Sequence, residues 1–134
     1  MTGPTGDDRN TRQRGAEAED FVAKHLEKQG FTIADRNFTV RGGELDIVAR
    51  KEDLLLFVEV RSWKKRFWDG GTPAETIHPQ KIRHIVKTAL YWAQTHGVRL
   101  QRTRIRFDVA ALVGAEGKYE MDYLEDAFPA VGLR

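Results

Sequence analysis

Two acidic residues lie within apolar segments of the chain and have the side chains best suited to chemistry. Asp46 lies in GELDIVAR and Glu59 lies in LLLFVEVRSW. An ionised carboxylate in such surroundings is costly to bury unless it is paired, hydrogen-bonded or bound to a metal ion. Together the two acids could supply oxygen ligands for Mg²⁺ or Mn²⁺, with water and a substrate phosphate completing the octahedron. The backbone carbonyl of Val60 is a further candidate ligand.

A second interpretation of the same residues is purely structural. Buried acids with arginines nearby are often simply neutralised by them. In that case Asp46 and Glu59 belong to an ion network with Arg61 and with Arg41 or Arg36. The residues alone leave both interpretations open.

The segments that contain the two acids predict how they meet. Polar and apolar residues alternate along GELDIVAR, and the mostly apolar LLLFVEVRSW follows after a charged turn, so the two segments indicate an antiparallel hairpin. If Arg50 lies opposite Leu55 around a four-residue loop, Asp46 lies opposite Glu59. We therefore predict that both carboxylates project from the same face of the hairpin.

Two further charged residues are candidates for a binding role. In the same register Glu44 lies opposite Arg61, either as another metal ligand or as a partner of Arg61. Lys81 lies in the first turn of a predicted helix that Pro79 opens and Gly97 ends. Free backbone N–H groups and the helix dipole favour a phosphate there, so Lys81 is a candidate contact to a nucleic-acid backbone, and a solvated lysine is the alternative.

Positive charge is clustered along the chain, although the formal net charge is only +2. The two clusters are Arg61, Lys64, Lys65 and Arg66, and Arg99, Arg102, Arg104 and Arg106. Trp63 and Trp68 flank the first cluster and could stack on unpaired bases or pack the loop against the sheet. Such patches suit a nucleic acid, with Lys64, Lys65 and Arg66 as candidate contacts, and a solvated basic surface is the alternative.

Length and composition indicate one soluble domain. A chain of 134 residues is long enough for one core and too short for a second. The absence of cysteine excludes a disulfide framework and a thiolate zinc site. No apolar run reaches the length of a membrane span and the polar start lacks the core of a signal peptide, so we expect a cytoplasmic protein with no membrane partner. Residues 1–13 have no apolar period and are predicted to be a flexible tail, which leaves 14–134 as the domain.

The order of the predicted elements indicates an α/β fold. A helix, several strands, a second helix and a closing strand pair are typical of a mixed central sheet flanked by helices. The predicted elements are a helix over Arg14–Gln29, extended segments at 31–33 and 38–41, the hairpin, the helix from Pro79, and strands around 105–111 and 119–123.

The combination of these segments resembles the YraN-like family of small bacterial proteins. The likeness rests on GELDIVAR, LLLFVEVRSW, a Gly-Gly-Thr-Pro loop, Lys81 on the following helix and IRFDVAAL, and it runs from about Gly15 to Phe128. That family is placed in the restriction-endonuclease-like (PD-(D/E)xK) superfamily, with Holliday junction resolvases as relatives. The resemblance therefore implies a restriction-endonuclease-like mixed central sheet flanked by helices.

The resemblance also implies roles for individual residues. The superfamily pattern is an acid on one strand and then an acid, a spacer and usually a lysine on the next, which Asp46, Glu59 and Arg61 match with arginine in the lysine position. Arginine can stabilise charge on a transition state, but it cannot accept a proton to activate water. The helical glutamate of such sites corresponds to Glu19 rather than Glu17, because Glu19 lies at the edge of the packed helix face. The alternative for Glu19 is an exposed acid favoured by the helix dipole.

The function implied by this pattern is a Mg²⁺- or Mn²⁺-dependent endonuclease that cleaves phosphodiester bonds in DNA, with branched or structured DNA among the candidate substrates. One alternative is a non-catalytic nucleic-acid-binding module that keeps the nuclease fold. Another is a small protein-interaction domain whose carboxylates are structural. A resolvase needs two sites and would therefore be a homodimer, although no dimer seam can be identified from the sequence.

Overall fold

The computed structural model describes residues 4–66, 68–69 and 77–129, with side chains from residue 12 onward. Its helices are α1 (Pro4–Lys28) and α2 (Pro79–Thr95), and a short 3-10 turn covers Leu100–Arg102. Its strands are β1 (Thr32–Val40), β2 (Gly43–Lys51), β3 (Leu54–Trp63), β4 (Arg104–Ala115) and β5 (Lys118–Leu124). None of the helices in this described part is both long and apolar enough to cross a bilayer.

The five strands form one sheet in chain order, from β1 at one edge to β5 at the other. Neighbouring strands are antiparallel, except that β3 and β4 run parallel and are connected through α2. The prediction of an α/β fold with a mixed central sheet flanked by helices is confirmed. This architecture is consistent with a restriction-endonuclease-like domain.

The two faces of the sheet are covered by different helices. Along β3, Leu56 and Val58 pack in the cluster that includes α1, whereas Leu55 and Phe57 pack in the cluster that includes α2. Successive residues of β3 thus face opposite sides of the sheet. Since β3 is central and buried on both faces, its sequence forms an almost continuous apolar run.

The first helix begins at Pro4 rather than at Arg14. Apolar periodicity marks only the helical residues that pack on a core, and the buried residues of α1 begin at Ala18. Residues 4–13 are therefore helical although no apolar stripe predicts them. The flexibility expected of the first thirteen residues stays a prediction.

β1 is one strand rather than two extended segments separated by a turn. Asp35, Arg36 and Asn37 favour a turn by residue type. In the structure the strand continues through them, with a shift of register between Ile33 and Asp35 and a left-handed backbone at Asn37 (φ 53°). A bulge of this kind lets a strand continue through residues that favour turns.

The limits predicted for the second helix are confirmed. Pro79 lies in its first turn, and the Nδ1 atom of His78 accepts a hydrogen bond from the Gln80 N–H at 3.1 Å, which caps the helix. Its buried residues include Thr88 and Trp92. The Nε1 atom of Trp92 donates to Asp35 at 2.9 Å, so this buried polar atom has a partner.

Candidate active site

The β2–β3 hairpin places Asp46 and Glu59 next to each other. Arg50 pairs with Leu55 as predicted, and regular pairing continues until the position before the two acids. There the Asp46 side chain bridges the strands, because its Oδ2 atom accepts a hydrogen bond from the Val60 N–H at 2.8 Å. A carboxylate thus replaces a backbone acceptor at the point where β2 and β3 separate.

The two carboxylates lie in surroundings that disfavour two negative charges. Glu59 is only 7% exposed and Asp46 is half-buried. Burial, reinforced by the charge of Glu59, raises the pKa of Asp46 to about 8, although the hydrogen bond from Val60 acts in the opposite direction. The surroundings of Asp46 therefore favour its protonated form near neutral pH.

Lys81 supplies a positive charge to this pair. Its Nζ atom lies 2.7 Å from the Oε2 atom of Glu59. Burial alone would lower the pKa of Lys81, but the hydrogen bond to Glu59 and the nearby acids, Asp46 and Glu44 among them, raise it above its ordinary value. The ammonium group is thus held charged against Glu59, where the structural interpretation of the sequence expected an arginine.

The helical position of Lys81 contains a signal for this contact. Lys81 precedes Ile85 by one helical turn, and Ile85 is buried against the sheet. Residues with this spacing share one side of a helix, so the lysine points toward the same strands. The sequence indicates only that Lys81 is a candidate phosphate contact, because Pro79 marks the start of the helix whereas nothing in the sequence shows how α2 packs on the sheet.

Glu19 adds a third acid from α1. Its side chain is largely buried, 3.8 Å from the guanidinium group of Arg36, and burial is the main cause that raises the pKa of Glu19. The charge of Glu19 also contributes to the raised pKa of Asp46, whereas the charge of Glu17 acts on Tyr119. The structure therefore brings Glu19, and not Glu17, toward the two hairpin acids.

Glu44 and Arg61 lie at the margins of the site. Glu44 is exposed and lines a cleft of about 450 Å³ together with Lys81 and His84. Arg61 is half-buried, with its guanidinium group 5.2 Å from the centre of the Trp63 ring. Regular pairing of the hairpin ends before these two residues, so their predicted opposition falls outside the paired register.

The basic cluster after β3 is only partly exposed to a ligand. Lys64 and Lys65 are exposed. Arg66 instead contacts two acids of β5, with its Nη2 atom 3.3 Å from Glu120 and 3.9 Å from Asp122. Of the three predicted contacts in this cluster, the two lysines are the ones that project without such an ion pair.

The tryptophans of this region pack against each other. The rings of Trp63 and Trp68 meet edge to face with their centres 5.2 Å apart, and the guanidinium group of Arg66 lies 4.9 Å from the Trp68 ring. The packing alternative is therefore the arrangement observed. The Gly-Gly-Thr-Pro loop, residues 70–73, lies outside the described residues.

A separate buried acid, Asp108, shows what a structural carboxylate looks like in this protein. It is 0% exposed and pairs with Arg106 through two hydrogen bonds of 2.9 and 2.8 Å. It also accepts bonds from the Tyr123 hydroxyl at 2.6 Å and from the Asp126 N–H at 2.9 Å. Asp108 is fully satisfied by its surroundings, in contrast to Asp46.

The donor set of the site is compatible with a magnesium ion that takes most of its ligands from outside the protein. In the described ranges no group of three or more His, Asp or Glu side chains is arranged to hold a metal. The gap beside Asp46 and Glu59 has a volume of about 10 Å³. Mg²⁺ is usually held by one or two carboxylates, with waters and substrate phosphates as its other ligands. Two oxygen donors in an electrostatically unfavourable pair fit that requirement.

The chain is similar along most of its length to a set of related proteins. The family model described as "Uncharacterised protein family UPF0102" matches residues 18–112, which include the packed part of α1, the hairpin and α2. The UPF0102 protein of Anaeromyxobacter dehalogenans (strain 2CP-C) is 41% identical over 133 residues, covering 98% of this chain and 96% of the relative. The UPF0102 protein of Myxococcus xanthus (strain DK1622) is 39% identical over 119 residues, covering 89% and 91%.

A third relative shows a similar level of identity. The UPF0102 protein of Clostridium perfringens (strain SM101 / Type A) is 39% identical over 117 residues, covering 85% of this chain and 92% of the relative. These names state no activity, so the relation to restriction endonucleases and resolvases stays a prediction. The match of the family model and the coverage of the relatives show that the chain belongs to the UPF0102 family.

Proposed function

We propose that the chain is a divalent-metal-dependent nuclease that cleaves phosphodiester bonds in DNA at Asp46 and Glu59. The observation that supports this proposal is the buried acid pair itself. Asp46 has one backbone hydrogen bond and a pKa raised to about 8. The small gap that Asp46 and Glu59 line shares Glu44 and Ile85 with the cleft that Lys81 lines. A structural acid such as Asp108 is instead saturated with donors.

Asp46 and Glu59 would hold the ion, and the Val60 carbonyl is a further candidate ligand. Mg²⁺ or Mn²⁺ bound there would polarise the phosphodiester and lower the pKa of an attacking water. The hairpin fixes both carboxylates on neighbouring strands, and the Val60 N–H orients Asp46. Glu19 and Glu44 increase the negative charge around the pair and so favour binding of a cation.

Lys81 supplies a lysine side chain to the acids, as a lysine at position 61 of the hairpin would in the superfamily pattern. Arg61 occupies the usual lysine position, but Lys81 brings an ammonium group to Glu59 from α2. A charge already placed at the acids can neutralise an incoming phosphate and stabilise negative charge as the bond breaks. We therefore assign charge stabilisation at the phosphate to Lys81, with Arg61 as an additional phosphate donor.

The test is cleavage of labelled DNA by purified protein in Mg²⁺, Mn²⁺ or EDTA. Four-way junction, single-stranded and duplex DNA, with RNA of the same sequence, separate the substrate classes. We expect metal-dependent cleavage by the wild type and a loss of about 100-fold or more in Asp46→Asn and Glu59→Gln, as is typical when charge stabilisation at a reaction centre is removed.

The matched control is Asp53→Asn, in the turn of the same hairpin. Asp53 is exposed and pairs with Arg104 away from the acids, so this variant is expected to cleave like the wild type. Equal residual cleavage by the wild type, Asp46→Asn and Glu59→Gln would contradict the proposal. If junctions are the preferred substrate, sedimentation analysis of the same samples should show the homodimer that paired incisions require.

A second candidate function is nucleic-acid binding without cleavage. The Lys81 to Glu59 ion pair favours it, because one of the two acids is already neutralised by the protein, and so does arginine at position 61. This function predicts salt-sensitive DNA binding in EDTA and no cleavage in any metal. The cleavage assay and a binding assay together decide between the two.

A further inference from the structure

A groove runs along α2 away from the two acids. It lies between the β1–β2 turn and the helix, has a volume of about 530 Å³, and includes Arg41, His84, Lys87 and Tyr91 in its lining. His84 also lines the cleft that contains Lys81, so the groove and the cleft share a wall. From Lys81 to Tyr91 the helix rises about 15 Å. We call this surface, defined by Arg41, His84, Lys87 and Tyr91, the α2 groove.

The charges of the α2 groove favour an anionic ligand. Arg41 and Lys87 are exposed, and among the residues that the structure describes neither forms an ion pair with a carboxylate. Arg36 and Arg104, by contrast, are each paired with an acid. No Asp or Glu in the described part of the chain lines this groove. Two cations, Arg41 on one wall and Lys87 on the other, in a groove without acids in its described lining are suited to the phosphates of a strand between them.

An aromatic ring lies at the far end of the same groove. Tyr91 is 50% exposed, and it is the large hydrophobic residue that stands out as exposed in the described structure. The Phe38 ring lies 6.3 Å from it, centre to centre, and supports it from β1. Bases stack on exposed aromatic rings in proteins that bind single strands, whatever the sequence of the strand. The ring thus adds a contact that an unpaired base can use and a paired one cannot.

The β1–β2 turn, which forms one wall of the groove, is fixed against α2. Gly42 has a left-handed backbone (φ +90°), a conformation that favours glycine. A Cβ atom at Gly43 would lie only 2.0 Å from the Oγ1 atom of Thr88. Glycine at this position thus allows the turn to lie directly against α2, with Arg41 beside the helix.

We propose that the α2 groove binds one unpaired nucleic-acid strand, with Arg41 and Lys87 on its phosphates and Tyr91 stacked on a base. The strand then continues past His84 toward Asp46 and Glu59. The inference rests on the proposed function for the chemistry at the end of this track. Binding in the groove requires no cleavage and can be measured without a metal.

The test is fluorescence anisotropy in EDTA with a labelled oligothymidine of about 20 nucleotides and a duplex of equal length, each between about 50 and 200 mM salt. Arg41→Ser combined with Lys87→Gln is expected to raise the single-strand Kd about 10-fold at low salt. Losing two phosphate contacts should also reduce the slope of log K against log salt by about 1.4.

The ring is tested separately with two substitutions. Tyr91→Ala is expected to raise the single-strand Kd by about 10-fold and to change duplex binding little. Tyr91→Phe keeps the ring and should bind like the wild type. Equal losses in the two Tyr91 variants, or equal losses on both DNA forms, would overturn stacking.

The control for charge is Lys24→Gln combined with Lys28→Gln. Both lysines are exposed on α1, which packs on the opposite face of the sheet. This variant loses the same net charge and should keep wild-type binding within about twofold. A loss equal to that of the groove variant would show that only total charge matters, and wild-type protein that binds no single strand at low salt would also overturn the proposal.

Binding and cleavage fail independently in these experiments. Wild-type protein that binds through the α2 groove but cleaves nothing in any metal would contradict the nuclease and leave the groove in place. If the wild type cleaves DNA and the groove variants bind and cleave it normally, the groove proposal is contradicted and the nuclease proposal is supported. Circular dichroism of each variant verifies that it is folded.

Discussion

Asp46 combines a hydrogen bond between two strands with a carboxyl group whose pKa is raised. Its Oδ2 atom accepts the Val60 N–H that would otherwise need a partner where β2 and β3 separate. The same carboxylate is close enough to Glu59 for that charge to add to the effect of burial on its pKa. A residue that served only the hydrogen bond would be replaceable by asparagine without further effect, so the ionisation of Asp46 is the property to test.

We expect the acid pair to make the metal-free protein less stable as the pH rises. Asp46 titrates at its ordinary pKa of 3.8 in the unfolded chain and at about 8 in the folded protein. Between these values the folded state binds more protons, so the free energy of unfolding decreases with pH, by at most about 1.4 kcal/mol per pH unit, and levels off above pH 8. Asp46→Asn resembles the protonated acid and lacks this decrease. Urea unfolding in EDTA across this pH range measures it.

The comparison between the two proteins isolates the Asp46 contribution, because the other titrating groups are shared. Wild type and Asp46→Asn should have similar stability near pH 4, with the variant becoming the more stable of the two toward pH 8. Two curves that run parallel over the whole range would show that Asp46 is already ionised at low pH in the folded state.

The sequence makes some of the site residues recognisable and leaves others hidden. Asp46 and Glu59 stand out because an acid among apolar strand residues needs a partner. Lys81 is recognisable only as a candidate phosphate contact, and its contact with Glu59 cannot be predicted because it depends on how α2 crosses the sheet. The neighbours of a residue in the sequence can show that a charged side chain is buried, but they do not show which distant residue neutralises it.

At the level of elements, the β2–β3 hairpin was the most predictable part of the fold. The short charged turn and the burial pattern of the two strands allow few registers for the pairing of β2 with β3. The predicted pairing of Arg50 with Leu55 is confirmed. The parallel pairing of β3 with β4 was not specified in the same way. Apolar patterns state which face of a strand is buried, but they do not state which strand lies beside it.

The element most dependent on a single side chain is the β4–β5 pair. Asp108 on β4 joins Arg106, the Tyr123 hydroxyl on β5 and the Asp126 N–H just after it. We expect Asp108→Asn to lower the free energy of unfolding by about 3 kcal/mol, because it leaves Arg106 without its buried counter-charge. Urea unfolding followed by circular dichroism provides the measurement.

Asp53→Asn is again the matched control. Asp53 pairs with Arg104, which lies on β4 as Asp108 does, but both partners are exposed. Exposed ion pairs of this kind contribute less than about 1 kcal/mol. Similar losses in the two variants would mean that the Asp108 network does not stabilise the sheet more than a surface ion pair does.

For the molecule as a whole, the separation of charge matters more than the net charge of +2. Glu19 on α1 and Glu59 on β3 both lie near enough to Asp46 on β2 to raise its pKa, while exposed cations lie in the α2 groove and in the loop after β3. The loop cations were predictable because they are adjacent in the sequence. Arg41 and Lys87 were not, because only the packing of the β1–β2 turn on α2 brings them together. If both proposals hold, a nearly neutral protein presents a cation site and a polyanion site on separate parts of its surface.

The proposed cation site predicts a change in the stability of the whole molecule that can be measured without any nucleic acid. A ligand that binds only the folded state raises the free energy of unfolding, by about 1.4 kcal/mol when its concentration is ten times its Kd. We expect Mg²⁺ to increase the urea midpoint of the wild type and of Asp53→Asn relative to EDTA at equal ionic strength. Asp46→Asn and Glu59→Gln should show little or no increase.

Substitution of Lys81 is expected to increase the stabilisation by Mg²⁺, whereas substitution of either acid should remove it. Its ammonium group already neutralises Glu59, so it competes electrostatically with an incoming ion. Lys81→Met is therefore expected to be less stable than the wild type in EDTA and to gain more stability from Mg²⁺. A Mg²⁺ effect of equal size in the wild type, Asp46→Asn and Lys81→Met would mean that the ion binds elsewhere on the molecule. Lys81 alone would then account for the neutralisation of the acid pair.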